Sequence, residues 1–144
     1  MITMPKAKIG IVGGGIGGVA AAVALHQVGI DAVVYERAPQ LREVGAGMML
    51  WPNATRVLLG LGLLEDALAR SGSSSHFLVR ASSGAVLMNI ALGKFDVPAI
   101  CMRRSDLLTV LLATLPPECI RLRHKVNRLE QSRDRVSIFL KAAS

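Results

Sequence analysis

Lys8-Ile9-Gly10-Ile11-Val12-Gly13-Gly14-Gly15-Ile16-Gly17-Gly18 is a short apolar run that ends in a glycine cluster reading G-x-G-x-x-G from Gly13 to Gly18. The residues after it, Ala20 to Val28, are dense in alanine and other good helix formers. Strand, tight turn and helix are the expected elements, with the helix running from about Gly15 to Val28. In that arrangement Gly13 turns the chain off the strand. Gly15 admits the pyrophosphate of a dinucleotide against bare backbone, and Gly18 lets the helix pack close to the sheet. The N–H groups at the helix N-terminus then face the phosphates.

A glycine cluster alone does not separate a nucleotide loop from a plain turn in a chain with 14 glycines among 144 residues. Residues 29–36 make the distinction. Gly29 stands where a helix C-terminal glycine belongs, and Asp31-Ala-Val-Val-Tyr35 reads as a second, buried parallel strand. Glu36 ends that strand, where an acidic residue about 20 positions beyond the glycines binds the ribose hydroxyls of a dinucleotide. The alternative for Glu36 is a solvated carboxylate at a strand end. Arg37 either lies along the ribose or adenine or is solvated.

The chain is one domain's worth of sequence, with 51% hydrophobic, 19% charged and only 3% aromatic residues. That excludes a disordered protein and makes the core one of Ala, Val, Leu and Ile, as in α/β proteins with buried parallel strands. No apolar stretch is long enough to span a membrane, and the N-terminus lacks the layout of a signal peptide, so a cytoplasmic protein is expected. Cys101 and Cys119 have no metal or redox spacing and read as reduced packing residues. No metal site is expected. The net charge of +7 raises nucleic acid as a partner. Much of that charge falls in Arg121-Leu-Arg123-His-Lys125-Val-Asn-Arg128, whose alternation predicts a half-buried strand with one wet face. No aromatic residue is interleaved there for base stacking, so nucleic-acid binding is not the expectation.

Further along, Glu43-Val-Gly45-Ala46-Gly47 is a second glycine-rich segment, whose small residues suit a backbone that something approaches closely; the alternative is a mere loop. Asn53 is the expected N-cap of a helix from Ala54 to Leu59, ended by Gly60-Leu-Gly62, with another short helix from Leu63 to Ala69. His76 to Arg80 and Ala85 to Asn89 form a hairpin around Ala81-Ser-Ser-Gly84. Ala99 to Met102 is a strand, Ser105 the expected N-cap of a helix with an apolar face of leucines, and Pro116-Pro117 its stop. Residues 119–123 are expected as the third parallel strand, and 126–140 as a second hairpin. Met48, Met49 and Met88 are read either as adaptable pocket lining or as ordinary packing, and His76 as a surface residue.

Gly13 to Gly18, Tyr35-Glu36-Arg37, Glu43 to Gly47, Pro52-Asn53-Ala54, Leu61-Gly62-Leu63 and Arg104-Ser-Asp-Leu107 occur in the order and at the spacing found in the single-component flavin-dependent aromatic hydroxylases, the group of salicylate hydroxylase and p-hydroxybenzoate hydroxylase. The sequence resembles the N-terminal part of that family from residue 7 to about 140. The resemblance implies a Rossmann-like α/β FAD-binding domain over 1–144, with a parallel central sheet and antiparallel hairpin layers, incomplete relative to the full fold. Residues 74–100 would begin a substrate-side sheet.

By the same resemblance the FAD contacts are Gly13, Gly15, Ile16, Gly17, Gly18, Glu36 and Arg37 for the adenosine and pyrophosphate side. Gly45, Ala46 and Gly47 would lie beside the flavin ring, Arg104 against a phosphate or the ribityl chain, and the backbone at Val126 against adenine. Arg103 stands where the family often has His. NAD(P)H would be the transient electron donor and a small aromatic compound the substrate. The family's later Asp-Gly and Gly-Asp segments and most of its substrate sheet have no counterpart here, so the remainder of the enzyme, as a separate or missing polypeptide, is an expected partner. The three histidines and ten carboxylates show no catalytic pairing, and no catalytic residue is assigned. Two alternatives stay open: an NAD-binding Rossmann dehydrogenase, which the first 40 residues fit equally well, and a nucleotide-binding or interaction module without chemistry.

Overall fold

Residues 8–41, 45 and 47–141 are described by a computed structural model. In chain order the elements begin with β1 (Lys8–Val12), α1 (Ile16–Gln27), β2 (Asp31–Tyr35), β3 (Gly47–Leu50), α2 (Pro52–Gly60), α3 (Leu64–Leu68) and β4 (Gly72–Ser74). There follow β5 (His76–Arg80), β6 (Val86–Ala91), β7 (Ala99–Arg103), α4 (Arg104–Leu112), β8 (Ile120–Arg121), β9 (Val126–Gln131) and β10 (Val136–Leu140). The chain divides into two compact units, residues up to 43 with those from 111 onwards, and residues 44–110. Each has sheets of its own.

In the first unit β1, β2 and β8 form a parallel sheet in that order, with Lys8 opposite Asp31, Val12 opposite Tyr35 and Val34 opposite Ile120. A parallel pair needs a crossover, and α1 supplies it. Val19, Ala22 and Val23 are buried on α1, the i, i+3, i+4 stripe of a helix with one face on a core. The helix closes with the amide of Ile30 on the Leu25 carbonyl and that of Gly29 on His26, the paired bonds of a Schellman end. Central β2 buries Ala32 and Val34. β1 does not behave as a buried strand: Ile9 is 36% and Val12 57% exposed, because β1 lies at the sheet's edge. The third strand is shorter than 119–123, only Ile120–Arg121.

The basic stretch 121–128 is not one strand. After Arg121 the chain turns through Arg123, whose φ of 60° is the left-handed conformation. The turn is held by amide bonds from Arg123 to the Ala38 carbonyl (3.1 Å) and from His124 to the Glu36 carbonyl (2.8 Å). Alternation of charge there reflects a turn followed by a strand start. The expected second hairpin forms from β9 and β10, with Ile138 lying against Gly10 of β1 and Arg128 stacked over Phe139 at 4.4 Å.

The second unit holds an antiparallel sheet ordered β3-β7-β4 and the separate hairpin of β5 and β6. Neither β3 nor β4 is announced by the sequence, and both exist by pairing with apolar β7. Two expected caps are displaced. Trp51, in extended conformation, caps α2, because Pro52 fits the first helical position and the Trp51 carbonyl already accepts the amides of Ala54 and Thr55, leaving Asn53 inside the helix. Likewise α4 begins at Arg104, so Ser105 is in its first turn. Leu50, Leu58, Leu64, Leu92, Ile100 and Met102 are among the buried apolar residues, and Trp51 meets Phe77 with ring centres 5.1 Å apart.

Thr55 is the one buried polar side chain among the described residues, fully enclosed, and its hydroxyl donates to the Pro98 carbonyl at 2.8 Å. Thr55→Val keeps the shape and strands that carbonyl. A loss of about 1–2 kcal/mol is expected, read as a lowered urea midpoint at unchanged slope; a midpoint equal to that of the parent chain refutes the assignment.

Candidate functional site

The site is built where β1 hands over to α1. Gly13 has φ of +104°, which turns the chain off the strand, and its amide still donates to the Tyr35 carbonyl of β2 at 2.9 Å. Gly15, extended at φ −72° and ψ 178°, is the N-cap of α1; its carbonyl accepts the amide of Val19 at 3.0 Å. Gly15 and Gly17 are exposed and Ile16 is half-buried. No side chain caps α1 and no acidic residue stands in its first turn, so nothing in the helix itself offsets the positive end of its dipole. Gly18 sits so close to the preceding turn that a Cβ there would run into the Gly13 carbonyl oxygen and come within 3.3 Å of Ile11 Cγ2.

Glu36, at the tip of β2, reaches back to this loop. One carboxylate oxygen accepts the Gly14 amide at 2.7 Å and the other the Ala38 amide, also at 2.7 Å. Partial desolvation pushes the Glu36 carboxyl up, but the amides of Ala38, Gly14 and Arg37 and the charge of the Arg37 guanidinium outweigh it, and the group titrates below its ordinary 4.5. Arg37 itself is exposed. A carboxylate offers about four lone-pair sites, so the backbone amides it accepts leave acceptor capacity for a hydroxyl-bearing ligand.

Gly14 and Leu41 are not singled out by the motif, in which Gly14 is merely an x. Gly14 is buried, and a Cβ on it would lie 2.5 Å from Leu41 Cδ2 and 3.0 Å from Glu36 Cβ. The signal is present in the unbroken run Gly13-Gly14-Gly15. His124 is the other unforeseen neighbour, its amide on the Glu36 carbonyl and its ring 6.1 Å from that of Tyr35. Val126 stands half-buried at the start of β9 in this same unit.

The remaining candidates lie in the second unit. Gly45 is exposed, and a Cβ built on it would meet Arg104 Cδ at an ordinary 3.8 Å; Arg104 is half-buried at the start of α4. Gly47, in β3, pairs with exposed Arg103 and has ordinary room for a Cβ, 3.5 Å from the Met102 carbonyl oxygen. Space within the chain does not require glycine there. Ala46 lies outside the described residues. On the same strands an open cleft of about 530 Å³ is lined by Gly47, Arg70, Cys101, Arg103 and Asp106. Met49 is half-buried, and Met88 is 48% exposed on β6. Among the described residues, no helix is long and apolar enough to cross a membrane.

A parallel β-α-β unit, a glycine turn at a helix N-terminus that has no cap or first-turn acid of its own, and a carboxylate at the second strand's tip define the class of dinucleotide-binding α/β proteins. The chain belongs to one family of that class: the model of the FAD binding domain family matches residues 6–141. It is 36% identical over 138 residues to 3-amino-4-hydroxybenzoate 2-monooxygenase of Streptomyces cremeus, covering 91% of this chain and 35% of that protein. To salicylate hydroxylase of Pseudomonas putida it is 30% identical over 144 residues, covering 95% and 33%. A similar solved structure is HpxO of Klebsiella pneumoniae complexed with FAD and uric acid, at a TM-score of 0.76 and 28% identity, covering 95% of this chain and 36% of that one. The chain thus spans about a third of the length of the relatives it matches.

Two outcomes are expected from the geometry. Because the native Glu36 carboxyl is held below 4.5, the stability it contributes is present above that pH and is lost as pH falls through the lowered native value. Glu36→Gln should therefore lower the melting temperature at neutral pH and converge with the parent once the pH has fallen below the lowered native value; parallel melting curves at every pH would contradict this. Gly14→Ala should cost about 1–3 kcal/mol by overpacking against Leu41 and Glu36, measured by chemical denaturation, and a neutral result would contradict the close contact.

Proposed function

We propose that this chain is the FAD-binding part of a flavin-dependent monooxygenase that hydroxylates a small aromatic substrate with NAD(P)H as electron donor, acting together with a polypeptide that supplies the rest of the fold. The observation that carries the reading is the Gly14 amide on the Glu36 carboxylate, which brings the acidic tip of β2 against the glycine loop at the start of α1. The residues fit the cofactor. Gly18 leaves no room for a side chain, Gly15 and Gly17 present bare backbone to the outside, and Glu36 retains acceptor capacity.

In this reading Gly13, Gly15, Ile16, Gly17 and Gly18 hold the pyrophosphate against the α1 N-terminus, Glu36 accepts the ribose hydroxyls, and Arg37 lies beside the adenosine. The backbone at Val126 borders adenine, Arg104 binds a phosphate or the ribityl chain by its always charged fork, and Gly45, Ala46 and Gly47 border the ring. Residues 74–100 belong to the substrate side. The bound flavin supplies the redox chemistry between NAD(P)H and oxygen. The chain's own residues bind and orient; none is assigned a proton-transfer role. The names of the relatives, acting on an aminohydroxybenzoate and on salicylate, support an aromatic acid as the substrate class.

The test is FAD retention, followed by flavin absorbance through gel filtration. The 144-residue chain is run alone and mixed with the separately expressed part of the Streptomyces cremeus relative that it does not match. Alone it should retain FAD poorly, and mixed it should elute yellow. Gly15→Val should abolish retention by filling the pyrophosphate's place with secondary structure unchanged, and Glu36→Ala should weaken FAD binding by about 1–3 kcal/mol. Equal FAD affinity in parent and both variants would sink the proposal, as would NAD(P)H oxidase activity in a stable yellow monomer of this chain alone.

A further inference from the structure

We propose that the open cleft on the β3-β7-β4 sheet binds the carboxylate of an aromatic acid, with Arg70 and Arg103 as the groups that take hold of it. The proposal rests on the functional reading above and adds to it the residues of this chain that recognise the substrate. The cleft, of about 530 Å³, has Gly47, Arg70, Gly72, Cys101, Arg103 and Asp106 in its lining. All of them belong to the unit of residues 44–110.

The floor of the cleft is one face of the sheet. Strand β7 buries Ile100 and Met102 in the core and leaves Cys101 and Arg103 exposed, since successive side chains of a strand point to opposite faces. Gly47 of β3 stands opposite Arg103, and Gly72 of β4 opposite Cys101. Neither glycine has a left-handed φ. A Cβ on Gly72 would meet nothing within 4 Å, and one on Gly47 would have ordinary room. Conformation and packing within the chain therefore require glycine at neither place. Glycine weakens a strand and leaves a surface to which a ligand can come close. Two glycines beside a small thiol side chain make a flat floor, which suits a planar ring.

Charge selects the group that the ring carries. The ion pairs between described residues are those of Arg56 with Asp96 and Arg128 with Glu130, so Arg70 and Arg103 are not neutralised, and both are exposed. A guanidinium is always charged and presents a planar fork of N–H donors that matches a carboxylate. The half-buried Asp106 lines the same cleft, so two cations and one anion leave a single net positive charge. That balances a carboxylate monoanion. It falls short of a phosphate group, which carries about 1.5 to 2 negative charges at neutral pH.

The experiment titrates the isotope-labelled 144-residue chain with sodium benzoate and follows its amide resonances by NMR. Saturable shifts are expected at Gly47, Gly72, Cys101 and Arg103. Arg70→Gln and Arg103→Gln should each raise the Kd at least about tenfold, the scale of a lost hydrogen bond to a charged group. Lys141→Gln, which removes a charge outside the cleft's lining, should leave it unchanged. Gly72→Val should abolish binding with the circular dichroism spectrum unchanged. Benzamide, with the ring and no charge, and acetate, with the charge and no ring, should each bind at least about tenfold more weakly than benzoate. Shifts that are absent or fall on other residues overturn the proposal, as does a Kd that neither arginine variant moves. Benzamide binding as tightly as benzoate overturns it by removing the carboxylate's part, and inorganic phosphate binding more tightly at the same amides overturns it by naming a phosphate as the ligand. None of these readings needs FAD. Failure here while the mixture described above retains FAD leaves the functional reading standing, and benzoate binding where no FAD is retained keeps the site and removes the flavoprotein reading.

Discussion

The carboxylate of Glu36 is the group on which the site depends. It stands directly after β2 and holds Gly14 with one oxygen and Ala38 with the other. The backbone at the same point is equally committed: the Glu36 amide donates to Arg121 of β8, and its carbonyl accepts from His124. The glycine turn, the exit of β2 and the exit of β8 are therefore fastened at one residue. Hydrogen bonds to a charged acceptor are worth about 1.5–3 kcal/mol each, so the loop is held in shape by its own protein before any ligand arrives. A nucleotide site gains affinity from such preorganisation, because the ordering cost of the loop is met during folding.

Packing separates two kinds among the candidate glycines. Gly14 and Gly18 are glycine because the chain itself leaves no room: Leu41 and Glu36 crowd the first, the Gly13 carbonyl the second. Gly17 and Gly47 have room for a side chain within the chain. At those positions packing within the chain does not require glycine. The sequence pattern alone merges the two kinds, since a motif records which positions are glycine and not what would collide there.

Local signals are legible where they are strong and self-contained. The strand-turn-helix of β1 and α1, parallel β2 and both hairpins can all be read from residues 8–36, 76–90 and 126–140, because each rests on periodicity, helix ends or turn chemistry within a few residues. The elements that escape depend on distant partners. Three-residue β4 and four-residue β3 are strands only because β7 lies between them. Asn53 and Ser105 are plausible caps by residue type, yet Pro52 and the immediate passage from β7 into α4 move the helix starts ahead of them. The alternation in 121–128 has the look of a strand and is a turn, since Arg123 takes the left-handed conformation to bring His124 onto Glu36.

Exposed apolar side chains are not scattered evenly. The glycine loop stands on residues with almost no accessible surface, Val19 and Val23 of α1 and Val34 of β2. Leu78, Val86, Leu87 and Met88 on β5 and β6, and Leu129, Val136 and Leu140 on β9 and β10, are each more than 40% exposed. A two-stranded ribbon is marginal in water by itself and gains stability from a third strand or a covering layer. The glycine loop is thus backed by buried residues, whereas Val12 of β1, Val57 and Leu59 of α2 and the ribbon faces keep exposed apolar side chains. Order at the glycine loop and apolar exposure on the ribbons are separable features of this chain, and a substitution on a ribbon's exposed face can alter the second while leaving Gly13 to Gly18 and Glu36 where they are.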